Sequence, residues 1–283
     1  MKLLKKVADV IVRIQKLNSN LRDLRNLTLE SDLNDAIRES VNPLNKFGRK
    51  VFSQSDEDGI TLEIVRRLEI MPSTGTFIEL GVGNGLENNT LVLASLGWKG
   101  VWIGGEPLDF AHENLKRINY EMAWIKRSNI LELVRNGLNQ IKSDHVDVLS
   151  IDLDGNDIYI AEELLCSNIL PKIFIIEYNA KFPPPILFQI DYEEDFVWRR
   201  DDYFGASLQS MQKCFENYGY TLIACNLGTG SNCFFVRNEY VEKFLDIPRE
   251  IEQIYVPPKY LLHTDFGHPA STKVVMSVLG LVK

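Results

Sequence analysis

The alternation of short apolar runs with helix-compatible segments constrains the fold of this chain most. Its strand candidates are "TFIEL" (76–80), "GVWIG" (100–104), "MAWIK" (122–126), "VDVLSID" (146–152), "KIFIIEY" (172–178), "TLIACN" (221–226) and "NCFFVR" (232–237). Helix-compatible segments separate the first five, at 88–97, 108–119, 129–142 and 157–167. This alternation predicts a largely parallel sheet covered on both faces. Only "LGTGS" separates the last two strands, which predicts an antiparallel hairpin.

The N-terminal apolar residues follow a strict heptad spacing. They step alternately by four and three residues, at Leu3, Val7, Val10, Ile14, Leu17, Leu21 and Leu24. This spacing predicts a helix that either pairs with a second helix or lies on its own domain. Residues 26–50 resemble a second short helix and a linker through Asn42-Pro43. We therefore expect a helical extension over residues 1–45 and one main domain over residues 46–283.

Charge and composition narrow the class of protein. The formal net charge of −8 disfavours nucleic acid as the main partner, because phosphate binding relies on surplus Lys and Arg. No apolar stretch approaches the roughly 18 residues of a membrane span, and the N-terminus lacks a signal-peptide core. The four cysteines form no CxxC pair, which is typical of free thiols in a reducing compartment. These features predict a soluble, cytoplasmic protein.

A glycine-rich loop follows the first predicted strand. The stretch "FIELGVGNG" (77–85) places glycines at 81, 83 and 85, and alternate glycines let the backbone turn tightly against a ligand. The spacing differs from the G-x-G-x-x-G of a dinucleotide site. Glu106 follows the second predicted strand, where a carboxylate can accept hydrogen bonds from ribose hydroxyls.

These residues resemble a known family. The loop from Glu79 to Gly85, followed by Glu106, resembles motifs I and II of S-adenosylmethionine-dependent methyltransferases. The stretch "FSQSDEDGI" (52–60) resembles the Ser-Gln-x-x-Glu-Asp-Gly entry segment of FkbM-like methyltransferases, often found in polysaccharide gene clusters. The stretches "GLENNTLVLASLGWKGVWI", "IIEYNA" and "YFGASLQSM" resemble further blocks of a bacterial branch. One departure is "WIGGEP", where an acid directly after the Ile is usual.

The resemblance implies a fold, a cofactor and a reaction. It implies the Rossmann-like class I methyltransferase fold, a seven-stranded, mostly parallel sheet with a C-terminal antiparallel hairpin. It also implies an O-methyltransferase that uses S-adenosylmethionine and acts on a sugar hydroxyl of a surface polysaccharide, such as a capsule, or of its nucleotide-linked precursor. The residues expected to bind the cofactor are Gln54, Glu79, Gly81, Gly83, Gly85, Asn89, Glu106, Asn129 and Asp152.

Several acidic and amide residues cluster in "VLSIDLDGNDIYIAEEL" (148–164). Their spacing invites comparison with a helix-loop-helix calcium loop. That loop needs Gly at its sixth position, where this chain has Asp157, and the preceding run reads as a strand rather than a helix. We therefore interpret Asp152 as the acid at the carboxyl end of the fourth strand, beside bound cofactor.

Polar residues at two strand ends predict a metal site. Asp152 ends the fourth strand, and Glu177 and Asn179 end the fifth, so these side chains should converge. The set is similar to the ligands of metal-dependent O-methyltransferases, and its hard oxygen atoms suit Mg²⁺ or Mn²⁺. Asp154 or His268 would be the general base. The structural alternative is that Asp152 and Asp154 cap the following helix.

The segment 181–205 interrupts the sheet and carries aromatic and Arg residues that suit a sugar or nucleotide-linked acceptor.

Two other functions stay open. Asp152-x-Asp154 is also the pattern of a metal-dependent glycosyltransferase, which would leave the glycine loop unexplained. A non-catalytic, cofactor-binding scaffold that assembles through the heptad helix is the second. The heptad spacing also predicts a homo-oligomer.

Overall fold

The chain folds around one seven-stranded sheet. The computed structural model describes residues 2–110 and 115–259, with side chains from residue 5 onward. The strands are β1 Thr76–Leu80, β2 Lys99–Gly104, β3 Ile118–Met122, β4 Val148–Ile151, β5 Ile173–Glu177, β6 Tyr220–Cys225 and β7 Asn232–Arg237. Their order is β3-β2-β1-β4-β5-β7-β6, with β7 antiparallel to β5 and β6 and the other neighbours parallel. The predicted class I methyltransferase fold is confirmed.

Helices connect the strands and cover the sheet. They are α1 Lys2–Glu39, α2 Glu57–Arg67, α3 Leu91–Ser95, α4 Ile130–Ile141, α5 Asp157–Cys166, α6 Leu208–Glu216 and α7 Ile251–Ile254, with 3-10 helices at Pro43–Phe47 and Asn238–Phe244. Among the described residues, no helix combines the length and apolar character needed to cross a membrane.

Each face of the sheet has its own hydrophobic core. Successive side chains of a strand point to opposite faces, and β5 shows the result. Phe174 and Ile176 pack into the cluster formed with α4, α5 and α6. Ile173 and Ile175 pack into the cluster formed with α2 and α3. Because both faces are buried, the central strands are continuously apolar, which is why they were recognisable in the sequence.

The third strand was predicted at the wrong place. It runs over Ile118–Met122 rather than 122–126, and the described part of 108–119 contains no helix. Residues 111–114 lie outside the described part of the chain. The reason is that β3 is an edge strand whose residues are only partly buried, so its sequence lacks an apolar run. The apolar signal of 122–126 comes instead from Ile125, which packs in the core.

The N-terminal region is one helix instead of the predicted two. Helix α1 continues to Glu39 and contacts the main core only near its end, through Leu33, Ala36 and Ile37. The heptad residues from Val7 to Leu24 are half or more exposed, from 50% at Val7 to 61% at Leu24. The described residues of the chain therefore do not cover this seam.

Acids at the start of α2 fix the segment before it. One carboxylate oxygen of Asp58 accepts hydrogen bonds from the backbone N–H groups of 51–53, at 2.6–2.8 Å. Asp56 accepts from the N–H groups of Leu227 and Gly228, in the turn of the β6–β7 hairpin. These bonds join the segment that resembles the family's entry motif to the hairpin turn.

The insertion between β5 and α6 has a small core of its own. Phe182, Phe188, Ile190 and Tyr203 are buried against each other, and the rings of Phe182 and Phe188 stack with centroids 4.1 Å apart. Most of its predicted acceptor-binding aromatic side chains therefore stabilise the insertion itself. Arg199 and Arg200 are exposed.

Candidate active site

Three carboxylates meet at the carboxyl edge of the sheet. Asp152 follows β4, and Glu177 is the last residue of β5; the strand register pairs the preceding residues, Ile151 and Ile176. Asp152, Asp154 and Glu177 each offer an oxygen, and these oxygens lie within 4.8 Å of one another. The predicted convergence of Asp152 and Glu177 is therefore present in the structure, with Asp154 as the third member.

The environment of this cluster favours bound positive charge or protons. Burial raises the pKa of Asp152 well above its usual range, and the neighbouring charge of Asp154 raises it further. Burial and the charge of Asp152 act in the same direction on the pKa of Glu177. The Oε2 atom of Glu177 is buried and has no hydrogen-bond partner among the described residues. Such an oxygen is costly unless a cation, a proton or a donor satisfies it.

The loop after β4 is shaped by a fourth acid, Asp157. Its two carboxylate oxygens accept hydrogen bonds from the N–H groups of Leu153 (2.8 Å) and Gly155 (2.9 Å). Asp154 lies between these residues in the left-handed conformation, with φ 54°. Asp tolerates this region better than most residues, and such conformations concentrate at functional sites. Asp157, not Asp152 or Asp154, makes the bonds that hold the start of α5.

The glycine loop leaves open space at one position. Gly81, Gly83 and Gly85 all have positive φ, at 92°, 50° and 83°. A Cβ atom at Gly81 would lie 1.7 Å from the carbonyl oxygen of Asp152, so the two strand ends touch there. A Cβ atom at Gly83 would meet nothing within 4 Å. The loop therefore forms an open cradle at Gly83.

Glu79 holds the next turn in place. It is 3% exposed and accepts hydrogen bonds from the N–H groups of Asn89 (2.8 Å) and Thr90 (3.1 Å). Burial raises its pKa to about 7. The amide of Asn89 donates to the Ser150 hydroxyl on β4, at 3.2 Å. The predicted cofactor residues Glu79 and Asn89 thus fix the backbone around the glycine loop.

The remaining predicted site residues are exposed, bonded locally or outside the described part of the chain. Glu106 and Gln54 are exposed. The Asn129 amide group is occupied locally, accepting from the Lys126 N–H and donating to the Trp124 carbonyl. His268 lies outside the described residues.

Asn179 is bonded through its side chain to the backbone of the insertion in the structure. Its side chain is fully buried and donates to the carbonyl groups of Asp202 and Phe204, while its Oδ1 accepts from the Lys181 N–H. Beyond β5 the backbone turns toward the insertion, and this turn uses the Asn179 amide. Asp154 joins Asp152 and Glu177 in the cluster.

Glu57 was not among the predicted site residues, although it belongs to the entry motif. Glu57 begins α2 and is completely buried. Its Oε1 atom accepts from the amide groups of Asn226 (2.9 Å) and Asn232 (3.2 Å). Burial, followed by the charge of Asp56, raises its pKa to about 7. The Glu-Asp-Gly of the entry motif was the signal that could have identified it.

Comparisons with known proteins reach only the fold. No protein-family model matches the chain, and no curated protein matches it. One similar structure is a "putative hemolysin from Streptococcus thermophilus", at 11% identity and TM-score 0.41, covering 68% of this chain and 70% of that one. Another is the precorrin-6y C5,15-methyltransferase from Geobacter metallireducens, at 12% identity and TM-score 0.37, covering 69% and 99%. Both TM-scores are below 0.5, so these similarities carry no argument. The fold assignment is based on the strand order.

The raised pKa values predict a loss of stability with rising pH in the ligand-free protein. Glu57 and Glu79 have ordinary values of 4.5, Asp157 has 3.8, and burial raises them to about 7, 7 and 6. Between the ordinary and the raised pKa values, the folded chain therefore holds more protons than the unfolded chain. Its free energy of unfolding falls by up to about 1.4 kcal/mol per pH unit for each such proton.

We expect the urea midpoint to fall between about pH 4.5 and 7, the range between the ordinary and the raised pKa values. Glu79→Gln should make the decline shallower, because an amide does not titrate. Asp144→Asn is the control, since that side chain is 100% exposed. A midpoint that rises over this range would contradict the assignment of buried, protonated carboxyls.

Proposed function

We propose that this chain is an S-adenosylmethionine-dependent O-methyltransferase that uses a divalent cation. The observation that carries the proposal is the open glycine loop beside the cluster of Asp152, Asp154 and Glu177. In open α/β sheets, ligands bind outside the carboxyl ends of the strands, where the strand order reverses. Here the order reverses between β1 and β4, which carry the glycine loop and Asp152.

The residues around the glycine loop fit the cofactor. The space at Gly83 is one that a side chain would fill, as expected where a ligand lies against backbone. Gly81, Gly83 and Gly85 would line the cofactor, and the exposed Glu106 would accept hydrogen bonds from its ribose hydroxyls. Gln54 would be a further contact.

The carboxylate cluster fits a divalent cation. Three carboxylates whose oxygens lie within 4.8 Å of one another match the hard ligands that Mg²⁺ and Mn²⁺ prefer, and Glu177 also has a buried oxygen without a partner among the described residues. Asp152, Asp154 and Glu177 would be the ligands, each through one carboxylate oxygen, which leaves the second oxygen of Asp154 to accept a proton.

The chemistry follows from these positions. When bound, S-adenosylmethionine supplies a methyl group on a sulfonium, and the cation supplies positive charge that favours the deprotonated acceptor hydroxyl. Asp154, the exposed member of the cluster, takes the hydroxyl proton on its carboxylate. The acceptor oxygen then forms a bond to the methyl carbon as the carbon–sulfur bond breaks. The loop braced by Asp157 keeps Asp154 aligned with that path.

The insertion supports a carbohydrate acceptor. It borders the acid loop, because a Cβ atom at Gly155 would lie 2.3 Å from the Phe196 ring and the Asn156 amide donates to the Glu193 carbonyl. Arg199 and Arg200 are exposed on the insertion and would pair with the phosphates of a nucleotide-linked sugar. Together with the FkbM-like motifs, this supports a cytoplasmic role in surface polysaccharide synthesis.

Calorimetry distinguishes the competing functions. A methyltransferase should bind S-adenosylhomocysteine, whereas a glycosyltransferase that uses Asp152-x-Asp154 should bind a UDP- or GDP-sugar through Mn²⁺ without S-adenosylhomocysteine. Release of S-adenosylhomocysteine during turnover with any nucleotide-linked sugar would exclude the scaffold function.

Gly83→Val tests the cofactor site. A branched side chain in the cradle should reduce S-adenosylhomocysteine affinity by at least about 100-fold, or 2.7 kcal/mol, while the sheet stays folded. The matched control is Gly219→Val, because Gly219 also has positive φ and its nearest atom to an added Cβ is 4.0 Å away. Equal affinity for both variants by calorimetry would remove the cofactor assignment.

Asp152→Asn tests the use of a cation. Turnover should fall by about 100-fold or more, in the range expected for loss of a catalytic group, while S-adenosylhomocysteine still binds. EDTA should mimic the variant, and added Mg²⁺ should restore the wild type but not Asp152→Asn, since an amide is the weaker ligand. The control is Asp144→Asn, before the entering end of β4. Full turnover in EDTA would refute the cation and leave the carboxylates as acid-base groups.

The N-terminal helix supports assembly through a second copy of this chain. In heptad terms Val7, Ile14 and Leu21 occupy a positions, and Val10, Leu17 and Leu24 occupy d positions. Mostly β-branched residues at a and mostly Leu at d favour parallel two-stranded coiled coils. In that arrangement the flanking positions pair Lys6 with Ile11, Arg13 with Asn18 and Asn20 with Arg25. No like charges face each other at these flanking positions.

We expect the full chain to be a dimer that dissociates when the seam is broken. Ile14→Glu places a charge in the seam and should halve the mass measured by light scattering. Gln15→Glu adds the same charge beside the seam, at an exposed position, and should leave the mass unchanged. Removal of residues 1–28 should also give a folded monomer, because Leu33, Ala36 and Ile37 remain on the core. A dimeric Ile14→Glu variant would contradict pairing through this helix.

A further inference from the structure

Three side chains stand in a row across β4, β5 and β7. Glu177 and Asn232 are direct partners in the antiparallel register, and Asp152 extends the register that pairs Ile151 with Ile176. Residues aligned on neighbouring strands point to the same face of a sheet. The backbone N–H and C=O of Asn232 bond toward Asn226 on the other side, so Asn232 and Glu177 form the closer, non-hydrogen-bonded kind of pair.

The row contains two buried oxygens without partners. Asn232 is 4% exposed, and its Oδ1 atom has no hydrogen-bond partner among the described residues. Its Nδ2 atom donates to Glu57 Oε1 at 3.2 Å, which fixes the direction of the amide group. The Oε2 atom of the facing Glu177 is likewise buried and without a hydrogen-bond partner among the described residues. An ionised carboxylate and an amide oxygen cannot satisfy each other, whereas one cation between them satisfies both, as would a proton on Glu177.

We propose that Asn232 Oδ1 is a fourth protein ligand of the divalent cation. The inference rests on the cation of the proposed function and extends its ligand set from three carboxylates to three carboxylates and one amide. Amide oxygens are ordinary ligands of Mg²⁺, Mn²⁺ and Ca²⁺. A neutral ligand completes the coordination without adding to the repulsion among Asp152, Asp154 and Glu177. The amide ligand predicted after β5 would thus come from β7, since Asn179 is bonded to the insertion.

Mn²⁺ binding to the full chain, followed by electron paramagnetic resonance, tests the ligand directly and needs no acceptor. Asn232→Leu keeps a similar volume without an oxygen and should weaken Mn²⁺ binding by at least about tenfold, as loss of a metal ligand predicts. Asn232→Asp offers a carboxylate at the same place and should bind Mn²⁺ at least as tightly as the wild type. The matched control is Asn119→Leu on β3, whose Oδ1 atom is likewise buried and unpartnered. It should leave the affinity unchanged.

The outcomes distinguish failure of the Asn232 ligand from failure of the proposed function. Wild-type Mn²⁺ affinity in folded Asn232→Leu would overturn the inference and leave Asn232 as a hydrogen-bond donor to Glu57. If Asn232→Leu does not fold, weaker binding by Asn232→Asp would overturn it in the same way. S-adenosylhomocysteine calorimetry on the same samples distinguishes the failures. A wild type that binds S-adenosylhomocysteine but no Mn²⁺ loses the cation and this ligand and keeps the methyltransferase.

Discussion

The burial of several carboxyl groups at the carboxyl edge of the sheet is the constraint on which the site depends. Asp152, Asp154 and Glu177 are drawn together because β4 and β5 are parallel neighbours whose ends lie at the same edge. Glu57 adds a further acid from α2, and its charge contributes to the raised pKa of Asp152. Such a concentration of carboxyls in a low-dielectric setting is stable only with protons, donors or cations nearby.

The surrounding acids differ in the groups that stabilise their buried carboxyl oxygens. Asp58, Asp157 and Glu79 each accept at least two backbone N–H groups, and so they hold the loops before α2, after β4 and after the glycine loop. Glu177 retains a buried oxygen without a partner among the described residues. The same residue type therefore supports the architecture at one position and offers a binding group at another.

The two proposed ligand sites are mechanically connected. The backbone at Gly81 touches the carbonyl of Asp152, so the glycine loop and the acid loop are in direct contact. Asn89 links the segment after the glycine loop to Ser150, two residues before Asp152. Because methyl transfer requires alignment to within a fraction of an ångström, shared backbone contacts between the two sites suit the proposed reaction.

The sequence alone determined the sheet, the hairpin and the glycine loop, because buried parallel strands are continuously apolar and alternate glycines leave a local mark. It also indicated Asp152 and Glu177, since strand ends can be read from those same apolar runs. The edge strand β3 was misplaced, because partial burial leaves no such run. Only the tertiary structure decided that Asn179 bonds to the insertion, that Asp154 joins the cluster, and that Asn232 pairs with Glu177 across the sheet. Hydrogen-bond partners far apart in sequence, such as Glu57 and Asn232, leave no local pattern.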